Sequence, residues 1–112
     1  MNNSEGLGKP LSPDEATDRI RYATSLEVGI GYRWEEAQNL LNMGLQIGDV
    51  IHVLKRSGRV YEEGRPSSRF GAFCYCMDGT SPNSRGRVVR IEVIMSPSPM
   101  ELKVNRVTWR DS

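Results

Sequence analysis

The chain predicts an α+β domain, with three N-terminal helices packed on one face of a three- to four-stranded antiparallel sheet. Two observations carry that prediction. Apolar residues recur at helical spacing up to about residue 56, in stretches closed by Gly29, Gly31, Gly44 and Gly58. Beyond residue 59 they alternate in short runs separated by turn clusters. The 112 residues and 38% hydrophobic content fit one compact globular domain and are too apolar for a disordered chain. No apolar run approaches the roughly 20 residues of a membrane span.

Residues 1–11 are polar, with two glycines and a proline, and read as a flexible tail before a domain at 12–112. Ser12-Pro13-Asp14-Glu15 is a capping-box signature, with Pro13 where its missing N–H does no harm. Ala16, Ile20 and Ala23 extend it into a helix over about 13–26. A second helix is expected over 33–43, with Trp34, Ala37 and Leu41 on its apolar face, Leu40 beside them, and Gly44 as a left-handed stop. A third covers about 48–56. Its Asp49 lies in the first turn and Lys55 and Arg56 in the last, as the helix dipole favours, and Val50, Val53 and Leu54 face the core.

A short edge strand follows at 59–62. The run 69–77 alternates, with Phe73, Tyr75 and Met77 on one face and Ala72, Cys74 and Cys76 on the other. A polar loop spans 78–86, and a strand over 87–95 turns Val89, Ile91, Val93 and Met95 inward. Ser96-Pro97-Ser98-Pro99 is a turn, because prolines cannot donate to a ladder. In the last strand, 101–110, Leu102 and Val104 are out of phase with Val107 and Trp109, which predicts a bulge near Asn105.

The net charge of +1 conceals an asymmetry: residues 1–54 carry four cations against eight acids, and residues 55–112 carry eleven against six. Nine of the twelve arginines lie in the second half. Arginine's planar fork suits phosphate and carboxylate, so the asymmetry points to an anionic partner. It is equally consistent with a basic sheet attracting the acidic helices of the same molecule.

Catalytic constellations are sparse. Cys74 and Cys76 have the wrong spacing for a zinc knuckle, and His52 is the only histidine, so no metal and no other cofactor are expected. Glu35 and Glu36 are adjacent and diverge by about 100° on a helix, so they form no carboxylate pair. No nucleophile elbow or glycine-rich phosphate loop is present. What remains is a set of arginines with interleaved aromatics: Arg69, Arg85, Arg87, Arg90, Arg106 and Arg110 with Phe70, Tyr75 and Trp109. That pattern fits single-stranded RNA, with arginine on phosphate and a ring stacked on a base. An acidic protein surface would meet the same residues.

At Asp49-Val50-Ile51-His52-Val53-Leu54-Lys55, followed by Gly58 and Val60, the sequence resembles a small bacterial family of domains of unknown function placed near the RelE/BrnT-like toxins. The likeness starts at Ser12-Pro13-Asp14-Glu15-Ala16, continues through Gly71-Ala72-Phe73-Cys74-Tyr75, and ends in Val88-Val89-Arg90-Ile91-Glu92-Val93 and the last strand. It implies a barnase-like fold, a cytoplasmic bacterial setting, and an antitoxin-like protein among the partners. The family's Thr-x-His-Ala segment is replaced by Arg33-Trp34-Glu35-Glu36, and its two helix arginines fall near Asn39 and Met43.

The expectation is therefore a toxin-like binding domain for RNA or an acidic protein surface, degenerate as an enzyme. Its contacts would be Arg69, Arg85, Arg87, Arg90, Arg106, Arg110 and Trp109. One alternative is a metal-independent endoribonuclease, with Arg90 stabilising the transition state and Glu35 or Tyr75 moving protons. Another is a protein-only inhibitor or adaptor encoded on a mobile element.

Overall fold

The computed structural model describes residues 9–26, 31–32, 34–67, 72–96 and 101–111. Helix α1 (Pro13–Ser25) begins on the expected capping box: Ser12 Oγ accepts from the Glu15 amide at 3.2 Å, and Glu15 Oε1 accepts from the Ser12 amide at 3.1 Å. It buries Ala16, Ile20 and Ala23. Thr17 Oγ1 on the same face accepts from the Val60 amide at 2.9 Å, which fastens the helix to the sheet edge.

Strand β1 (Gly31–Tyr32) precedes α2 (Trp34–Met43). Helix α2 ends in a Schellman motif: the Gly44 amide donates to Leu41 O and the Leu45 amide to Leu40 O, with Gly44 at φ 77°. Leu40 and Leu45 are both buried there, the apolar contact that accompanies this stop. Helix α3 (Ile47–His52) runs into a π-helical turn over Val53–Ser57, closed by the Gly58 amide on Val53 O at 2.7 Å. A side-chain carbon at Gly58 would collide with Val53 O and lie 2.5 Å from Met77 Cγ, so glycine is required where this turn meets the sheet.

The strands are β2 (Arg59–Val60), β3 (Arg65–Pro66), β4 (Phe73–Gly79), β5 (Val89–Ser96) and β6 (Glu101–Trp109). Their order is β1-β6-β5-β4-β2, with β3 also on β4. Along the outer edge of β4 the chain advances from Val60 to Arg65 while β4 advances only from Met77 to Cys74. Residues 61–64 therefore bulge from the edge and carry Glu62 and Glu63, which blunts it against pairing with another chain. The inner face is the core: Phe73, Tyr75, Met77, Val89, Ile91, Val93, Met95, Leu102, Val104 and Val107 pack with Ile20, Leu40, Val50, Val53 and Leu54. The bulge lies where the phase change placed it. Glu92 pairs Arg106 but Val93 pairs Val104, so Asn105 has no opposite number, and Val104 before it and Val107 two residues after it both turn inward.

The α+β class holds; several details of the expected architecture do not. The helices are not one N-terminal block, because β1 falls between α1 and α2 and pairs β6 in parallel through Gly31–Lys103 and Tyr32–Val104. Two residues contain too little alternation to announce a strand. Among the described residues the sheet has six strands rather than three or four, three of them two residues long. Leu41 is 69% exposed and is not on the core face. Leu40 takes that place, since neighbouring helix positions point about 100° apart. Asp78 and Gly79 continue β4 instead of opening a loop, and β4 and β5 begin at Phe73 and Val89, later than expected. The residue 1–8 part of the expected tail and the 97–99 turn lie outside the described residues.

The part of β6 beyond its pairing with β1 explains the polar face of α2. Glu36 Oε1 accepts from the Val107 amide at 2.7 Å, and Asn39 Nδ2 donates to Val107 O at 2.6 Å. Residues three apart on a helix share a face, so this pair grips both the N–H and the C=O of one residue as a neighbouring strand would. Among the described residues no helix is long and apolar enough to cross a membrane.

Candidate functional site

The expected arginine patch divides into two. Arg90 and Arg106 lie on the outer face of the sheet, where β4, β5 and β6 also present Cys74, Cys76, Asp78 and Glu92. This face is internally neutralised. Arg90 forms a two-pronged ion pair with buried Asp78, at 2.8 and 3.0 Å, and Arg110 approaches the same carboxylate at 3.8 Å. Hydrogen bonding to Asp78 raises the Arg90 pKa further. Arg65 pairs Glu92 at 3.1 Å.

Burial alone would raise the Glu92 pKa. Hydrogen bonds from Asn105 and Cys74 and the charges of Arg65 and Arg106 outweigh it and hold the carboxyl below its usual range. Burial first, and then Glu92, push the Cys74 thiol up to about 11, and Cys76 is raised for the same reasons. Both are poor nucleophiles. Arg106 is exposed and has no ion pair among the described residues.

The second group lies at the end of the sheet, on the side of the helices. Pairing of Val89 with Trp109 brings the residues before β5 against those at the end of β6. Arg87 stacks on Trp109, its guanidinium carbon 4.1 Å from the ring centroid. The ring is half-buried against the core, so the cation rests on a fixed plate. Arg85 comes from the preceding loop, which is built from two tight turns. The Ser84 amide donates to Ser81 O with Pro82 between, and the Arg87 amide donates to Ser84 O across Arg85 and Gly86. Arg85 and Gly86 have φ values of 54° and 82°, the left-handed pair of a type I′ turn. Together Met43, Gly44, Asn83, Ser84, Arg85, Arg87 and Trp109 line a cleft of about 290 Å³, near the lower end of the range for small-ligand sites.

This loop is held from below. Asp49, buried in the first turn of α3, accepts from the Asn83 amide at 3.0 Å, from Asn83 Nδ2 at 2.9 Å and from the Gln46 amide at 2.8 Å. Burial works to raise its pKa, and these hydrogen bonds overcome it and hold the group lowered. The cleft wall is thus pinned to a helix before any ligand arrives.

The remaining candidates are scattered. Tyr75 is buried on the inner face, and its hydroxyl accepts from the Leu11 amide at 2.9 Å. Burial raises its pKa. Arg90 is on the opposite face, so the sheet stands between the two groups. Glu35 is in the first turn of α2, against β6 rather than β4, and its side chain lies outside the described residues, as does Arg69. Among the described residues no carboxylate, imidazole or thiol lines the cleft, and Ser84 Oγ is engaged with Ser81 as both donor and acceptor. The cleft presents two cations and an aromatic ring, a set suited to binding an anion.

Asn83 and Asp49 were missed by sequence reading. Ser81-Pro82 and Arg85-Gly86 carry the local turn signals that could have found the loop. Among the described residues no group of three or more His, Cys, Asp and Glu could hold a metal ion. Comparison with protein-family models, with curated proteins and with solved structures finds no match to this chain.

Proposed function

We propose that this domain is a binding module for single-stranded RNA, engaged at the end of the sheet and without nuclease activity. The observation that carries this reading is Arg87 held against Trp109, with Arg85 beside it on a pinned loop. A fixed cation, a second cation and a ring at one concave site match the needs of one phosphate and an adjacent base. Charge supports it too. Among the described residues every ion pair joins partners within 65–111, so no helix acid there is ion-paired with the basic half. The separation of Tyr75, Arg90 and Glu35 argues against the ribonuclease alternative. In this reading the toxin-like ancestry supplies the scaffold and binding is what remains of its function.

Fluorescence anisotropy with a short mixed-sequence RNA tests the proposal. Binding through Arg85 and Arg87 gives a log–log salt slope of roughly −1.4, at about −0.7 per phosphate contact in single strands. Arg85→Ala reduces the slope by about 0.7. An absence of binding at low salt overturns the reading. Capture of poly-glutamate under those conditions would assign the site to an acidic protein instead.

A further inference from the structure

Arg87 separates two concavities. On the side away from the cleft, Gly86, Arg87, Val88, Arg110 and Asp111 line a second hollow of about 340 Å³. Asp111 Oδ1 accepts from Arg87 Nη2 at 2.7 Å, while the Trp109 ring supports the same guanidinium from another side. The Asp111 carboxyl is held below its usual range, first by the Arg87 hydrogen bond. Arg110, with 59% of its side chain exposed, borders the hollow and reaches Asp78 only at 3.8 Å. Two arginines thus converge on a space that one carboxylate enters from the same chain.

We infer that this hollow is a phosphodiester subsite, and that Asp111 occupies the anion position on Arg87 until an RNA phosphate displaces it. This rests on the RNA-binding reading and adds to it a second phosphate position and a built-in competitor. The chemistry is an exchange of one anion for another on the same guanidinium. The Arg87–Asp111 pair is solvent-exposed, at 47% and 66% of the two side chains, and such pairs are weak and screened by salt. Phosphate accepts the same fork with two oxygens, and Arg110 becomes its second partner. Trp109 keeps Arg87 in place through the exchange, so the cation needs no new orientation.

The test is a double-mutant cycle read by anisotropy on the same short RNA. Asp111→Asn tightens binding about two- to fivefold at low salt, the range of an exposed ion pair, and the gain shrinks as salt rises. Asp18→Asn removes the same charge from α1, which contributes to neither concavity, and changes affinity less. In an Arg87→Ala background Asp111→Asn gives no gain, because the site of competition is gone.

An equal gain from Asp18→Asn and Asp111→Asn overturns the proposal, since net charge then explains both. A gain that persists without Arg87 overturns it as well. In either case wild-type binding leaves the RNA-binding reading standing. If neither wild type nor Asp111→Asn binds RNA at low salt, the reading and the subsite fall together. Binding by Asp111→Asn alone supports both.

Discussion

Asp49 and Asn83, on different elements, are joined twice: one carboxylate receives both the main-chain and the side-chain N–H of the asparagine, at 3.0 and 2.9 Å. The same carboxylate caps the start of α3 through the Gln46 amide. One buried charge therefore sets the height of the loop that presents Arg85.

Asp49→Ala is expected to cost about 2–4 kcal/mol, because charge-assisted bonds are lost and buried donors are left without an acceptor. Urea unfolding measures it. The pH dependence follows from the lowered carboxyl. Its stabilisation is fully present above the unfolded value of about 3.9 and is lost as pH falls through the lower folded value. Asp49→Asn removes that part of the acid transition; an unchanged acid midpoint would contradict the assignment.

Arg85→Asn separates stability from binding. A left-handed conformation is strained for arginine and tolerated by asparagine. The variant should be more stable by about 0.5 kcal/mol and bind RNA more weakly. Thermal melts and anisotropy on one preparation check both signs. A loss of stability would mean that the Arg85 side chain holds the turn.

Glu36→Ala leaves the Val107 amide without its acceptor and should cost roughly 1–3 kcal/mol. Glu36→Gln keeps an oxygen in place and should cost less. Hydrogen exchange at Val107 gives a local readout, since its protection should fall sharply only in the alanine variant.

Tyr75→Phe removes one hydrogen bond, to the Leu11 amide, and should cost about 1 kcal/mol with RNA affinity unchanged. A Tyr75→Phe protein that lost an RNA-cleaving activity present in wild type would revive the ribonuclease alternative.

The parts of the fold visible in the sequence were those written as a period. The change of phase between Val104 and Val107 placed a bulge near Asn105, the residue that is unpaired in the structure, since only an extra residue lets both sides bury the same face. The capping box at Ser12 and the stop at Gly44 were legible for similar local reasons. Strand β1 had no period to show. No local pattern marked Glu36 and Asn39, whose polar atoms serve the edge of a distant strand. Of the site, residue types were legible and arrangement was not. Arg87 meets Trp109 because Val89 pairs with Trp109, and Arg90 is claimed by Asp78 because β4 continues through it. Both facts depend on register, which a single strand's pattern does not contain.

The clasp of α2 on Val107 also orders events in time. Glu36 and Val107 are 71 positions apart, so α2 finds its strand partner only after the last strand exists. Contacts of such long separation slow the search for the native state. On the ribosome α1 can dock on the 53–57 turn and β2 as soon as they emerge, whereas the clasp of α2 stays open until β6 has been synthesised. That interval is when this chain is most open to capture by a chaperone or to clumping with its neighbours.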